Sequence, residues 1–592
     1  MLAVVIALVA FVVVQAIRKS WVPSDSNTLR LPQLSQEKVQ LPQALQDRNL
    51  PLEELWEAAA GSKLSSARAH VALFKAGRWR GDAWGKGVGL TEAIKSAYER
   101  ATKKSSGAAD TAILVVLTQR KRVTDSTAKR HFSNVHRGVR GALVQGEGEN
   151  ENESDTYLLS PTQTIATNRP ILDELEMQAK ERDLSLSNWL SANRVYSVSG
   201  RQFYIDLTSK QPAQELLRGN QLIAPEEVTQ ERVKEFERLL SDWMFSNLDK
   251  NGRLTYEYFP SRGRESSKNN MIRQWMGTVA LGRAAKLHPA RYDKAGAEKN
   301  IRYNLAHFYK QEGELGWIEH RRTAKLGAAA LAMISLVESP ARTSFAQQEA
   351  GLFSLTRHLW QADGMFDCFF KPASRKKDNL HNFYPGETLL SWSMLYEREP
   401  DPELLSMSMK SFATYKKWHL ENRNPAFIPW HTQAYFNLWK QTKDPQLAAW
   451  IFEMNDWLVE VMQSNSRVAY DDTLGRFYDP VGGRYGVPHA SSTGVYLEGL
   501  IDAFSLARSL KDDAHVKKYR EAILLGLRSS MQLQFQDDVD MFYVSNRRRL
   551  RGGMRTTTYD NRVRVDNVQH VLMGVQKIIR DFRPEDYRAT RR

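Results

Sequence analysis

Residues 314–338 read ELGWIEHRRTAKLGAAALAMISLVE. The first seven carry a tryptophan beside a glycine, the chemistry of a turn with an aromatic face. From Thr323 onward the pattern is helical, but no polar face appears. A surface helix has one apolar stripe, whereas a helix apolar on more than one side is enclosed by other helices. Gly327, Ala328 and Ala329 put small side chains where such neighbours must approach closely.

The same alternation of aromatic connector and helix runs along the chain on either side. Helical periodicity predicts spans 227–248, 269–287, 294–311, 321–338, 344–361, 386–398, 402–420, 431–442, 445–463, 492–510, 513–534 and 566–581. Between alternate members lie NGRLTYEYF, ELGWIEH, DGMFDCFF, NPAFIPWH, LGRFYDP and VDMFYVSN. Six helical hairpins follow, at a period of about 50 to 60 residues. STGVYLEGLIDAFSLAR reads as a second enclosed helix, and AHVKKYREAILLGLRSSM as an amphipathic outer one. The hairpins are too unlike one another for a regular solenoid, and no polar capping repeat stands out. Closure into an (α/α)6 toroid is therefore expected for 223–585, followed by a short tail, 586–592.

Residues 51–222 read as a smaller α/β domain. LEELWEAAAGSKLSSARA and ILDELEMQAKERDL are helical. LTEAIKSAYERATKK is a helix with Thr91 as its expected N-cap. HVALFKAGRWRG is a short strand pair, TAILVVLTQ a buried strand, GVRGALVQG and DTYLLSP strands flanking an acidic loop, and RQFYIDL a last strand.

Two resemblances accompany this reading. NMIRQWMGTVALGRAA, KLGAAALAMISL, NFYPGETLLSWSMLYE and RVRVDNVQHVLMG resemble helix starts of the six-hairpin glycosidase superfamily and its relatives among sugar epimerases and polysaccharide lyases. YPGE with its helix also resembles the C-terminal domain of glucuronyl C5-epimerases. VALFKAGRWRGDAW, TAILVVLT, RGVRGALVQG and TYLLSP resemble the AMMECR-like domain in order, without the cysteine-containing segment expected there, and imply no activity.

The toroid resemblance implies a funnel at one end of the inner helices. There aromatic faces stack on sugar rings, carboxylates move protons, and Arg or Asn holds hydroxyls and acidic groups. Glu387 at the start of 386–398 is the leading candidate, with Asp367 as its partner in a two-carboxylate hydrolysis. Against these roles, Glu387 reads as a helix N-terminal charge, and Asp367 and Glu257 as solvated loop charges. An epimerase or lyase would instead rely on His431 as base and Arg564 to neutralise a uronate. Against these roles, His431 reads as a helix cap, and Arg564 with Asp566 as a structural pair that closes the ring. Asn270, Arg273, Trp317, Tyr384, Trp430, Tyr485 and Arg555 complete the expected substrate-binding set. Trp392, Trp439 and Trp457 read as core.

Composition bounds the rest. The 592 residues are 42% hydrophobic, enough for a large core, and the formal net charge of +15 favours an acidic partner. No zinc-finger spacing, RNP-like run or P-loop supports nucleic acid. Cys368 is the only cysteine, so no intrachain disulfide forms, and neither HExxH nor another metal-ligand spacing is present. No cofactor is expected. Residues 2–17, LAVVIALVAFVVVQAI, reach about 24 Å as a helix, short of a hydrocarbon core of about 30 Å. A signal anchor over 1–21 competes with a cleaved signal peptide. Arg18 and Lys19 after the segment point the body inwards on the positive-inside rule. The Gln-, Ser- and Pro-rich linker 22–50 reads as a tether for an exported body. The expected location is the inner membrane, single-pass, with a periplasmic body acting on polysaccharide, alone or within an envelope protein complex. A non-catalytic polysaccharide- or protein-binding scaffold is the alternative.

Overall fold

The inner helices are so apolar because each is packed on both sides by another inner helix. In the computed structural model, which describes residues 40–588 apart from 47, 62–65, 147–155, 374, 376–377, 464–468 and 479–482, twelve long helices run from residue 230 to 581. The outer ones are α1 (Gln230–Ser246), α3 (Lys294–Phe308), α5 (Ala346–His358), α7 (Pro402–Glu421), α9 (Pro445–Trp457) and α11 (Asp513–Met531). The inner ones are α2 (Met271–Leu287), α4 (Leu326–Glu338), α6 (Tyr384–Arg398), α8 (Ile428–Thr442), α10 (Ala490–Leu510) and α12 (Val565–Asp581). Each inner helix packs on the next, and α12 packs back on α2. The ring is closed, an (α/α)6 toroid. In α4 every residue from Leu326 to Val337 is buried.

The two ends of the toroid differ. Turns 399–401, 443–444 and 511–512 join inner to outer helices so tightly that each pair must be an antiparallel hairpin. Several outer helices begin at an aspartate whose side chain accepts a backbone N–H: Asp293, Asp401, Asp444 and Asp512. The outer-to-inner connectors gather at the opposite end, and most are long. The aromatic connector segments read from the sequence all lie there. At that end α4, α6, α8 and α12 have no side-chain cap. Their first N–H groups and the positive ends of their dipoles therefore face the funnel.

Ring closure is reinforced by strand pairing. The β8 strand (Glu257–Phe259), from the connector before α2, pairs with β9 (Asp560–Arg564), which leads into α12. Val563 lies opposite Tyr258, and Arg564 opposite Glu257.

The α/β part is an antiparallel sheet of strands β1 (Ala67–Lys75), β2 (Arg78–Gly87), β3 (Thr111–Val123), β4 (Arg140–Gly146), β5 (Thr156–Leu159), β6 (Asn193–Asp206) and β7 (Gln214–Leu216). The order is β2-β1-β3-β6-β4-β5, with β7 on β6. Four expectations change here. The first helix stops at Gly61, and Ala67 already belongs to β1. The helix Leu90–Lys104 is capped at Gly89, so Thr91 lies inside its first turn. The last strand begins at Asn193, because its polar first half pairs with β4 and β3. The end of the expected linker is folded: Leu45 is buried, Leu41 and Leu50 pack on the α/β core, and Arg48 donates to the carbonyls of Ser209 and Gln211.

Residues Leu41–Arg592 form one compact unit, so the α/β part is not a separate body. Asp472 accepts from Arg218 at 2.6 Å with both side chains buried, and the Arg218 guanidinium lies over Tyr470. Arg137 donates to the Tyr559 carbonyl, Asn168 to Asp560, and Arg528 to the Ile223 carbonyl. Phe74 packs edge-on against Phe542. The segment expected to span a membrane, 1–21, lies outside the described residues. Among the described residues no helix is long and apolar enough to cross one.

Removing one partner of a buried ion pair leaves the other charge uncompensated. Arg218→Met is expected to destabilise the protein by about 3–5 kcal/mol, read as a lower thermal midpoint and easier urea unfolding. Arg218→Met with Asp472→Leu recovers most of that loss. An unchanged midpoint in the single variant would show that the pair does not hold the two parts together.

Candidate active site at the funnel end

Glu387 lies in the first turn of α6 and is 2% exposed. Its carboxylate faces Gly327 of α4. A methyl group at 327 would overlap Glu387 Oε2 and the Tyr384 ring, so the glycine is what admits the carboxylate. Glu387 Oε2 has no hydrogen-bond partner. Burial pushes its pKa up to about 8, against the opposing pull of Arg273 and Lys325. At neutral pH it is a carboxylic acid holding its proton. Burial, then the nearby Glu387, also raises the Tyr384 phenol. Cys368 beneath them is pushed up to about 12 by burial and then by Asp367 and Glu387, so it is a thiol and no nucleophile.

The ring seam lies at the same end. Arg273 of α2 donates from Nε to Asp566 of α12 at 2.9 Å, and Arg564 donates from Nε to the other oxygen at 2.8 Å. Burial pulls the Asp566 pKa up, but Arg273 and Arg564 outweigh it and hold the carboxyl far below its usual range. Arg273 therefore acts on two carboxyl groups with opposite outcomes: Glu387 protonated, Asp566 ionised. Environments that push two carboxyl pKa values apart are the signature of an acid and its complementary anion.

Two imidazoles complete this side. His489 caps α10 and is held down to about 4 by burial and then by Arg564. His570, one turn beyond Asp566, has Nδ1 2.8 Å from Glu498 Oε1, a carboxylate buried in α10. Trp430 of α8 meets His570 edge-on at 5.9 Å. Because α10 lies between α8 and α12 in the ring, this contact passes on the inner side of α10. On the opposite wall, a pocket of ≈ 200 Å³ is lined by Asn269, Asn270, His320, Lys325 and Arg375, among others.

The expected site residues divide. Glu387, Tyr384, Arg273, Arg564, Asp566 and Trp430 lie around this funnel. Asn270 caps α2, its Oδ1 accepting from Ile272 N at 3.0 Å, and also lines the pocket. Glu257 is buried beside Arg562 at 3.5 Å and opposite Arg564. Asp367 is on an exposed turn, with Oδ2 accepting from Gln361 at 3.0 Å. His431 is fully buried and does not cap α8. Its ring stacks on Phe427 at 3.6 Å, and Nδ1 is 2.7 Å from Tyr435 OH. Burial and then His419 hold it well below the usual imidazole range. One face of Trp317 is covered by Lys371 Nζ at 3.8 Å, so that face is closed to a sugar ring. Tyr485 packs edge-on against Trp457 of the outer helix α9. Arg555 is buried over Phe535 and donates to the carbonyls of Gln534 and Asp540, which leaves it no room for a ligand. Lys325, Arg375 and Glu498 were not anticipated. A lone carboxylate within the apolar run GVYLEGLI was the visible signal for Glu498. No group of three or more His, Cys, Asp or Glu side chains among the described residues is placed to hold a metal ion.

No family model matches the chain, and no curated protein matches it. Solved structures do. A D-mannose isomerase is 12% identical with a TM-score of 0.46, covering 61% of this chain and 99% of its own. An unsaturated glucuronyl hydrolase from Streptococcus agalactiae is 12% identical with a TM-score of 0.42, covering 60% and 94%. A GH76A α-1,6-mannanase from a Salegentibacter species is 12% identical with a TM-score of 0.42, covering 58% and 98%. None of these bears on the AMMECR-like reading of residues 51–222.

Glu387 makes stability depend on pH. Unfolded, it loses its proton near 4.5; folded, near 8. Between these values the native state binds more protons, so stability falls as pH rises and the loss is complete above 8. Glu387→Gln cannot ionise. It is expected to match the wild type near pH 5 and to exceed it above pH 8, by up to about 4 kcal/mol. Parallel thermal midpoints for the two proteins from pH 5 to pH 9 would show that Glu387 is not held protonated.

Proposed function

We propose that the chain is a carbohydrate-active enzyme, a glycoside hydrolase acting on an acidic polysaccharide. The observation that carries this is Glu387: a buried, protonated carboxylic acid at the N-terminal mouth of the ring, flanked by cations. In this reading Glu387 gives its proton to the glycosidic oxygen as the bond to the anomeric carbon breaks. The complementary anion is Asp566 rather than the exposed Asp367. An incoming sugar carboxylate takes over part of the Arg564 fork, for which a planar guanidinium is well suited. That frees an Asp566 oxygen to accept a proton from the attacking water. Arg273, Lys325 and the uncapped N-termini of the inner helices supply the positive field that draws a polyanion to the mouth.

A second reading has its own observation. His489 and the His570–Glu498 pair face the same Arg564–Asp566 cluster. Imidazoles beside an arginine are the equipment for removing a proton next to a carboxylate, as in a uronate epimerase or lyase. This reading carries with it an envelope location, in which a signal anchor over residues 1–21 holds a periplasmic body to the inner membrane. Protease added to spheroplasts should then digest the body, whereas protection would put it in the cytoplasm.

The test is turnover by the whole chain on acidic and neutral polysaccharides. Reducing ends released from acidic chains, and lost roughly 100-fold or more in Glu387→Gln, support hydrolysis. An unsaturated or epimerised product that persists in Glu387→Gln and disappears in His570→Gln would move the chemistry to the imidazoles. Saturable binding without any product would leave a polysaccharide-binding scaffold.

A further inference from the structure

A second cavity, of ≈ 290 Å³, lies where the α/β part meets the toroid. From the α/β side it is walled by Asn134, Arg137 and Asn168, and from the toroid by Ser261, Arg262 and Arg562. Arg137 is 5% exposed and is fixed by donating to the carbonyls of Tyr559 and Asn168. Ser261 Oγ is buried without a partner. Three guanidinium groups and a single carboxylate, Asp560, thus line the cavity. That carboxylate is already engaged by Arg562, at 2.6 and 2.9 Å, and by Asn168, at 3.0 Å. The cavity carries excess positive charge and an unused hydroxyl.

The cavity is tied to the funnel through β9. Alternate residues of a strand share a face and are about 7 Å apart. Asp560 and Arg562 line the cavity, and Arg564, next on the same face, grips Asp566 in the funnel. Arg562 reaches Glu257, which lies opposite Arg564. The two sites are neighbours along one strand, at a spacing close to that of successive units of a polymer.

We propose that this junction cavity is a second subsite, which holds an anionic group of the same chain one or two sugar units from the funnel. The inference rests on the polysaccharide reading above and gives the α/β part a role in it: Asn134, Arg137 and Asn168 build the outer wall. It selects for oligomers over short fragments, since only a chain that spans both sites engages both sets of guanidinium groups.

The experiment is calorimetric titration of the full chain with oligogalacturonate dimers and hexamers, and with heparin-derived oligosaccharides of matched length. The variants are Arg262→Ala and Asn134→Glu, both at exposed positions. Hexamers are expected to bind the wild type more tightly than dimers. Each variant should lose hexamer affinity roughly five- to tenfold, several times more than dimer affinity. A preference for one oligomer type tells a carboxylate from a sulfate as the group held. Equal losses for dimer and hexamer, or no loss, would overturn the subsite, as would an absence of binding by every acidic oligomer. Wild-type turnover is scored separately. Length-dependent binding without reducing ends rejects hydrolysis and supports the subsite, and turnover with length-independent losses does the reverse.

Discussion

The closing contact of the ring, Arg273 of α2 against Asp566 of α12, is the constraint on which the rest depends. Five of the six inner-helix contacts join helices that follow one another along the chain. The sixth joins the first inner helix to the last, across almost the whole toroid. Its cost in chain entropy is correspondingly long-range, and it is met by several interactions at once. The helices pack, β8 pairs with β9, and a buried carboxylate takes two guanidinium groups. Asp566 Oδ2 takes Arg273 from across the seam and Arg564 from its own side, so closing the ring and assembling the anionic half of the site are the same event.

That coupling explains the electrostatics of the funnel. Arg273 is held by Asp566, yet remains near enough to Glu387 to oppose its burial. The opposition is incomplete, because Glu387 lies against Gly327 in a nearly water-free gap between α4 and α6, and desolvation of a carboxylate outweighs a cation that is already paired. The outcome is two carboxyl groups in opposite states at one mouth.

The α/β part joins this arrangement through the long connectors. Arg218, Arg137 and Asn168 bind the segments around Asp472 and 559–561, and the latter continue into β9 and α12. A displacement of the sheet would therefore be felt at the seam. This gives a physical reason for an α/β part that contributes none of the groups around Glu387 to be packed so closely on the toroid.

Much of the fold was legible in the sequence. Runs such as LGAAALAMISL have no polar face, and an unbroken apolar surface is stable only when enclosed. Twelve helical spans, enclosed and amphipathic, with six aromatic connectors leave few architectures, so helix count, alternation and closure followed from local pattern. The site was legible only in part. Glu387, Tyr384, Arg273, Arg564 and Asp566 stand at inner-helix starts, and their place in the ring follows from their place in the helix. Sequence could not show that Asp367 is exposed while Glu387 is buried, that Arg555 is spent on backbone carbonyls, or that Lys371 covers Trp317. Burial and pairing are set by residues remote in the chain, and a charged or aromatic side chain reads the same in a connector whether it meets solvent, a carbonyl or a ligand. Local order was written in the periodicity of apolar residues. Which carboxyl keeps its proton was decided only when the ring closed, because a pKa depends on the distance to charges that only the tertiary structure brings together.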